Sequence, residues 1–168
     1  ITNMGKNRGR NQNRKEKRED KEYYTPSPKV KLFDNQKKLV NGFLPNYLMS
    51  AFYGGAGKGK DFMQLYYGVR KVLDKKADKI IVVKPITTIG NDIGYLQGSE
   101  ADKLKPYFKS FLENLETILG TEGSRDFING GKIVFEAVTF MRGNTYKDSV
   151  VILSEAQNCT LHELMSIV

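Results

Sequence analysis

Cysteine is nearly absent from this chain of 168 residues, and so are long apolar runs. The single cysteine, Cys159, excludes an internal disulfide framework and favours a reducing compartment. No apolar run approaches the roughly 20 residues that a membrane span requires, so we expect no membrane partner. The polar, basic N-terminus also lacks the pattern of a signal peptide. Together these absences predict a cytoplasmic protein.

Acidic residues are scarce relative to basic ones, because 19 Asp and Glu stand against 27 Lys and Arg, which gives a formal charge of +8. Part of the excess lies in residues 1–22, which hold eight basic and four acidic side chains. With almost nothing apolar to bury, residues 1–28 are predicted to be a disordered basic tail. Such a tail could bind nucleic-acid phosphates or simply keep the chain in solution, and both alternatives stay open here.

Residues 29–168 are predicted to form a single domain in which strand-like and helix-like patterns alternate. Apolar runs predict strands at residues 47–52, 79–84, 132–138 and 149–154. Helical patterns lie at residues 32–44, 60–73, 104–118 and 160–168. Strands separated by helices predict an α/β domain, with a mostly parallel sheet flanked by helices.

A glycine-rich loop, GGAGKGKD (54–61), lies between the predicted buried strand at 47–52 and the helical pattern that follows. It resembles a P-loop, in which backbone N–H groups and a helix N-terminus surround phosphate while a lysine, here Lys60, reaches the outer phosphates. A simple glycine-rich turn is the alternative, and the strand–loop–helix context favours the nucleotide site. The loop departs from the pattern at Asp61, where a Ser or Thr hydroxyl would contact Mg²⁺.

The predicted strand at 149–154 is followed by an acidic residue, Glu155. P-loop NTPases carry a strand of this kind beside the loop, and the acid at its end helps to hold Mg²⁺ and to activate water. Glu155 is therefore a candidate general base. The alternative is a solvated acid near the start of the next helix.

A series of motifs, in the same order along the chain, resembles those of the PhoH-like P-loop ATPases. The loop matches the family pattern G-P-A-G-T-G-K-T at Gly54, Ala56, Gly57, Gly59 and Lys60. Further matching or similar positions are Asn35-Gln36, Lys84-Pro85, Gly90-Asn91, GYLQG (94–98), Lys103, Pro106, Tyr107, MRGNT (141–145) and SEAQN (154–158). The resemblance covers roughly residues 30–168 and implies a RecA-like or helicase-like core. Family sequences continue beyond the position of Val168, so we expect the domain to be incomplete at its C-terminus.

The resemblance also implies cofactors, partners and site residues. ATP and Mg²⁺ are the implied cofactors, RNA or single-stranded nucleic acid is the implied partner, and a homo-oligomer is implied by the same analogy. The implied nucleotide-binding residues are Gln36, Gly54, Gly55, Ala56, Gly57, Lys58, Gly59, Lys60, Asp61 and Arg142. Gln36 would read adenine, Arg142 would face phosphate or nucleic acid, and Gln157 would join Glu155 as a catalytic residue that senses the γ-phosphate. An ordinary surface role is the alternative for Gln36, Arg142 and Gln157.

Two departures from the family are reciprocal, because Asp61 replaces a hydroxyl and Ser154 replaces a carboxylate. A carboxylate about 5 Å from a phosphate oxygen costs roughly 3 kcal/mol at an effective dielectric constant near 20. Mg²⁺ would reverse that sign by accepting the carboxylate, so Asp61 and Ser154 are candidate metal-site residues, with decay of an unused site as the alternative. Two functions remain: an ATPase coupled to RNA or single-stranded nucleic acid, or a non-hydrolysing nucleotide- or RNA-binding module with a degenerate catalytic site.

Overall fold

The structure, a computed structural model, describes residues 30–86, 104–141, 145–165 and 167. Within these residues, three parallel strands form one sheet in the order β2-β1-β3, with β1 at Lys79–Lys84, β2 at Ile133–Ala137 and β3 at Ser149–Leu153. Ile80 in the central strand lies opposite Ile133 on one side and Val150 on the other. The predicted α/β fold with a parallel sheet is therefore confirmed.

Helices flank this sheet close to where the sequence predicts them. The α-helices are α1 (Asp34–Lys38), α2 (Lys60–Leu73), α3 (Lys109–Asn129) and α4 (Leu161–Met165). A π-helical turn (Leu39–Phe43) extends α1, and 3-10 turns lie at Leu44–Asn46, Lys105–Phe108, Val138–Phe140 and Ala156–Asn158. Gly120 interrupts α3 with non-helical backbone angles, φ 77° and ψ 171°.

The core lies on both faces of the central strand, since Ile80, Ile81, Val82 and Val83 are fully buried. This continuous burial is typical of parallel sheets, which are covered by helices on both sides. One face packs against the apolar sides of α2 and α3, which contribute Leu65, Val69, Phe111, Leu115 and Ile118 among others. Val138 and Met141 cover the other face.

Gly68 shows how closely α2 approaches the sheet. A Cβ atom built at Gly68 would lie 3.2 Å from both Cγ1 and Cδ1 of Ile80, a separation tighter than most real packing contacts. The helix can lie this near β1 because the glycine has no side chain. The N-terminus of α2, and with it the loop at 54–59, lies near the carboxyl end of the sheet, because Asp61 in the first turn of α2 contacts Ser154, which directly follows β3.

The predicted buried strand at 47–52 is wrong. Among the described residues, this segment pairs with no strand, and Leu48, Met49 and the adjoining Tyr53 are 107%, 71% and 96% exposed. A β-strand requires a partner for its backbone N–H and C=O groups, and an apolar run in the sequence does not reveal whether that partner is present. The glycine loop is therefore preceded by a segment that is not a strand among the described residues, and only its junction with α2 follows the prediction.

Some predictions fall outside the described residues: the basic tail at 1–28, the motifs at 90–91 and 94–98, Lys103 and the phosphate contact Arg142. The domain boundary near residue 29 likewise stays a prediction. Among the helices that the structure describes, none combines the length and the apolar character that a membrane crossing needs.

Candidate functional site

The glycine loop before α2 has a backbone that only glycine adopts readily. Gly54, Gly57 and Gly59 have φ angles of 143°, 69° and 77°, in a region where a side chain would be strained. Gly59 is the N-cap of α2, and its carbonyl oxygen accepts a hydrogen bond from the N–H of Met63 at 3.0 Å. The glycines therefore turn the chain sharply into the helix and leave the loop backbone exposed at its N-terminus.

Lys60, the first residue of α2, extends its side chain back into this loop. Its Nζ donates hydrogen bonds to the carbonyl oxygens of Gly54 and Gly55, both at 2.9 Å. A positive charge is thus held at the N-terminus of a 14-residue helix, whose backbone dipole adds partial positive charge at the same end. This combination of cation, helix N-terminus and open glycine backbone favours an anionic ligand such as phosphate.

Asp61 and Ser154 lie side by side. This is required by the hypothesis that the hydroxyl and the carboxylate have exchanged places between these two positions, which we call the exchange hypothesis. The Ser154 hydroxyl lies 3.4 Å from both carboxylate oxygens of Asp61. Ser154 is only 2% exposed, and its N–H donates to the carbonyl oxygen of Val83 at 2.9 Å, which ties the end of β3 to β1. Residues 93 positions apart thus form one polar pair beside the glycine loop.

The Asp61 carboxyl occupies an environment that disfavours its charge. Burial raises the pKa of Asp61, and the negative charge of Glu155 raises it further, against the lowering effects of Ser154, Lys84 and Lys60. A carboxyl whose pKa is raised on folding stabilises the fold only while it is protonated, so this contribution is lost as the pH rises through the folded-state value. Above that pH the ionised Asp61 lowers the stability of the ligand-free protein, and a bound cation would offset that cost.

Glu155 and Gln157, the predicted catalytic residues, contact each other directly at the carboxyl end of β3. The Gln157 amide Nε2 donates a hydrogen bond to Oε2 of Glu155, and both side chains are exposed. Glu155 has a left-handed backbone, with φ 57° and ψ 39°. Its carboxylate is close enough to raise the pKa of Asp61, so these three side chains belong to one polar edge of the molecule.

Lys84 also acts on this edge, although the sequence patterns assigned it no role. It is the last residue of β1, its charge lowers the pKa of Asp61, and its Nζ donates to the carbonyl oxygen of Tyr107 at 3.3 Å. The effect of Lys84 on this edge could have been inferred from its place at the carboxyl end of a predicted strand. The carboxyl ends of parallel strands meet at one edge of the sheet, so the charge that ends β1 must lie near the residues that follow β3.

Oxygen ligands from Asp61 and Ser154 fit the coordination preferences of Mg²⁺. This ion takes oxygen donors and is commonly held by one or two carboxylates together with substrate phosphates and water. Among the described residues, no group of three or more His, Cys, Asp or Glu side chains could enclose a metal ion. The Asp61–Ser154 pair would therefore complete a metal site only together with phosphate oxygens and water.

Gln36 lies apart from the glycine loop, in α1, and Arg142 lies outside the described residues. The Gln36 side chain lines a groove together with Phe62, which belongs to the first turn of α2. The structure thus brings the loop together with Asp61, Ser154 and Glu155, and it connects Gln36 to the loop only through the start of α2.

Comparison with known proteins identifies the family. A family profile described as PhoH-like protein matches residues 30–168. The chain belongs to the PhoH-like family. It is 38% identical over 119 residues to Protein PhoH2 of Bacillus subtilis (strain 168), an alignment that covers 68% of this chain and 27% of that protein.

Two further PhoH-like proteins are also similar to this chain over part of their own length. Protein PhoH of Escherichia coli (strain K12) is 34% identical over 113 residues, which cover 66% of this chain and 32% of that protein. A PhoH-like protein of Bacillus subtilis (strain 168) is 33% identical over 125 residues, which cover 74% of this chain and 39% of that protein. The chain therefore spans well under half the length of these PhoH-like relatives. Membership of the PhoH-like family agrees with the parallel sheet and the loop before α2.

Proposed function

We propose that this PhoH-like chain binds ATP together with Mg²⁺ at the glycine loop. The observation that carries the proposal is the Lys60 ammonium group, held inside the loop at the N-terminus of α2. The β- and γ-phosphates would replace the two carbonyl oxygens as partners of Lys60, and the N–H groups of the loop would donate to the same phosphates. Asp61 and Ser154 would provide oxygen ligands for Mg²⁺.

Titration calorimetry with ATP, with Mg²⁺ and then with a chelator, tests this proposal. We expect the affinity with Mg²⁺ to be about two orders of magnitude higher, because a carboxylate near a phosphate costs roughly 3 kcal/mol unless a cation lies between them. If ATP binds equally well without Mg²⁺, then Asp61 is not a metal ligand. No binding in either condition would refute the proposed function.

Hydrolysis of ATP, stimulated by RNA or single-stranded nucleic acid, is the proposed activity. It is supported by Glu155, which follows β3, is oriented by the amide of Gln157 and lies close to the Asp61–Ser154 pair. Glu155 would accept a proton from the attacking water, and a general base of this kind contributes typically 10²–10⁴-fold in rate. The presence of Asp61 in place of a hydroxyl, and of Ser154 in place of a carboxylate, supports the second candidate, a module that binds nucleotide without hydrolysing it.

Phosphate release, measured with and without single-stranded RNA, separates these two functions. If the chain is an ATPase, Glu155→Gln should reduce release by at least about a hundredfold while ATP affinity changes little. Glu113→Gln, on the exposed side of α3, is the matched control and should keep full activity. If the unaltered chain binds ATP but releases no phosphate in either condition, the non-hydrolysing module is the better description.

Residues 1–24 provide a test of the nucleic-acid partner, because basic side chains outnumber acidic ones there. Their removal should weaken binding of single-stranded RNA and flatten its dependence on salt, since fewer neutralised phosphates mean that fewer counterions are released on binding. Fluorescence anisotropy with a labelled RNA at several salt concentrations measures both effects. Unchanged affinity and an unchanged salt slope would show that these residues act only on solubility.

A further inference from the structure

Lys84 ends the central strand of the sheet on the face that α2 and α3 cover. Val82 and Ile80, two and four positions before it, pack with α2 and α3, whereas Ile81 and Val83 belong to the cluster on the other face. Because side chains alternate between the two faces along a strand, Lys84 extends on the same face as Val82 and Ile80. The charge that ends β1 therefore lies on the side of the sheet where the glycine loop enters α2.

The backbone contacts of β1 place Lys84 beside the Asp61–Ser154 pair. The carbonyl oxygen of Val83 accepts a hydrogen bond from the N–H of Ser154 at 2.9 Å, and the register pairs Val83 with Leu153. The residue after each of these, Lys84 and Ser154, therefore lie opposite each other on neighbouring strands, which are spaced about 4.8 Å apart. Since the Ser154 hydroxyl contacts Asp61, the Lys84 side chain starts one strand spacing away from the pair.

Two interactions show where the Lys84 ammonium group lies. Its Nζ donates a hydrogen bond to the carbonyl oxygen of Tyr107 at 3.3 Å, in the 3-10 turn that precedes α3. Its positive charge also opposes the rise in the pKa of Asp61 that burial and the charge of Glu155 cause. The half-buried Lys84 side chain therefore occupies the space between the start of α2 and the turn before α3.

A terminal phosphate at this edge of the sheet requires a cation outside the glycine loop. Asp61 and Glu155 lie there with carboxylates, which repel phosphate when they are ionised. Mg²⁺ held by Asp61 would offset one of these charges, and Glu155 would remain. Among the described residues, the cations whose charge acts on Asp61 are Lys84 and Lys60, and Lys60 is already assigned to the loop.

The position of Lys84 relative to a bound nucleotide follows from the proposed complex. With the β-phosphate at the N-terminus of α2, the γ-phosphate extends beyond it toward Ser154 and Glu155, which follow β3. Lys84 ends the neighbouring strand, so its ammonium group can turn from the Tyr107 carbonyl oxygen toward that phosphate. An ammonium group has three N–H donors, and the carbonyl oxygen takes one of them.

We propose that Lys84 contacts the γ-phosphate of bound ATP and makes the site prefer a nucleoside triphosphate to a diphosphate. This inference rests on the proposed nucleotide-binding function, because the phosphates must occupy the loop for the third one to reach Lys84. Lys60 serves ATP and ADP alike, since both carry a β-phosphate, whereas Lys84 serves only the nucleotide with a third phosphate. The site thus distinguishes ATP from ADP through a residue outside the glycine loop.

Titration calorimetry with ADP and with the non-hydrolysable analogue β,γ-imido-ATP, both in saturating Mg²⁺, tests this assignment on the full chain. We expect Lys84→Gln to lower the ratio of the analogue's affinity to that of ADP at least about tenfold, as expected for the loss of one hydrogen bond between charged groups. The glutamine amide still offers an N–H donor to the Tyr107 carbonyl oxygen. A loss that acts only through the fold would weaken both ligands alike and leave the ratio unchanged.

Lys79→Gln is the matched control, because Lys79 begins the strand that Lys84 ends. It removes the same charge at the other end of β1 and should leave the affinity ratio within about twofold of that of the unaltered chain, as expected for a screened, distant charge. Lys84→Arg keeps a cation with several N–H donors and should retain the preference for the analogue. Thermal melting of each variant shows whether it is folded.

The reactivity of lysine side chains in the unaltered chain provides a second measurement, which does not depend on whether a variant folds. Acetylation by acetic anhydride is followed at each lysine by mass spectrometry. The analogue should slow the acetylation of Lys84, while ADP should leave it unchanged. Both ligands should protect Lys60, and neither should protect the exposed Lys76, which follows α2 at its other end.

The outcomes separate this inference from the function on which it rests. If Lys84→Gln weakens both ligands alike, or if ADP protects Lys84 as well as the analogue does, Lys84 only joins β1 to the turn before α3 and the proposal is overturned. If Lys79→Gln lowers the ratio as much as Lys84→Gln does, net charge sets the preference and the proposed contact is wrong. If neither ligand binds to the unaltered chain, the proposed function fails, and the inference fails with it.

Discussion

Replacing Lys60 with alanine is expected to reduce the affinity for ATP by at least about a hundredfold, which corresponds to about 2.7 kcal/mol. The Lys60 ammonium group donates to two loop carbonyl oxygens, and two charge-assisted hydrogen bonds to phosphate would take their place in the complex. Hydrogen bonds to charged groups contribute about 1.5–3 kcal/mol each, so the loss of this one side chain accounts for the whole effect. Calorimetric titration with ATP in excess Mg²⁺ gives the two affinities.

A matched control for this change is Lys76→Ala, because Lys76 is exposed and follows α2 at its other end. It removes the same charge from the molecule but not from the loop, and ATP affinity should stay within about twofold, as expected for a screened, distant charge. If Lys60→Ala and Lys76→Ala bind ATP equally well, the loop at 54–59 is only a turn that connects the preceding segment to α2.

The pair of substitutions Asp61→Thr and Ser154→Asp is expected to show strong coupling in Mg²⁺-dependent ATP binding. Asp61→Thr alone removes the carboxylate from the pair. Ser154→Asp alone places a second carboxylate beside the first, because the Ser154 hydroxyl that it replaces lies 3.4 Å from both Asp61 oxygens, in a buried position where like charges repel. Each single change should therefore weaken binding or leave it unaltered, while the double variant restores the usual arrangement of hydroxyl and acid and recovers affinity.

The coupling energy distinguishes two alternatives: either Asp61 and Ser154 compensate for each other in a working metal site, or an unused site has decayed. Contacting residues that share one ligand typically show interaction energies of about 0.5–3 kcal/mol, whereas independent sites add within about 0.5 kcal/mol. Asp126→Thr and Ser110→Asp, both on exposed positions of α3, provide a control pair that should be additive. If Asp61→Thr and Ser154→Asp each improve binding and their gains simply add, the site has decayed and the exchange hypothesis is wrong. Thermal melting of each variant shows whether a loss of affinity reflects unfolding.

The fold was predictable from local patterns wherever burial alone decides the element. The run of Ile and Val at 79–84 coincides with β1, and the apolar period after Lys60 coincides with α2, because both elements bury the residues that produce the pattern. The segment at 47–52 shows the limit of this reasoning. It is apolar too, yet it forms no strand among the described residues, since pairing depends on a distant partner that the local sequence does not contain.

Sequence reasoning predicted which residues belong to the site better than it predicted how those residues are arranged. The glycines and Lys60 were evident from spacing, and the proximity of Asp61 and Ser154 followed from the family resemblance. The orientation of the Gln36 amide was not apparent, because it depends on which end of the side chain meets the N–H of Phe33. A glutamine three residues after the N-cap is half of a capping-box signal, and this spacing was the available clue. Lys84 stood in a family motif, but its effect on Asp61 was missed, because that effect arises only when β1 and β3 lie side by side.

The central position of β1 also has a consequence for how fast the sheet assembles. Ile80 pairs with Ile133 on one side and with Val150 on the other, so the two pairings join residues about 50 and about 70 positions apart. Neither pairing can form as a local hairpin, and each must close a long loop before its contacts become favourable. We therefore expect α2 and α3 to form early on the folding pathway, whereas the sheet, and with it the Asp61–Ser154 pair, assembles only in the slow final phase.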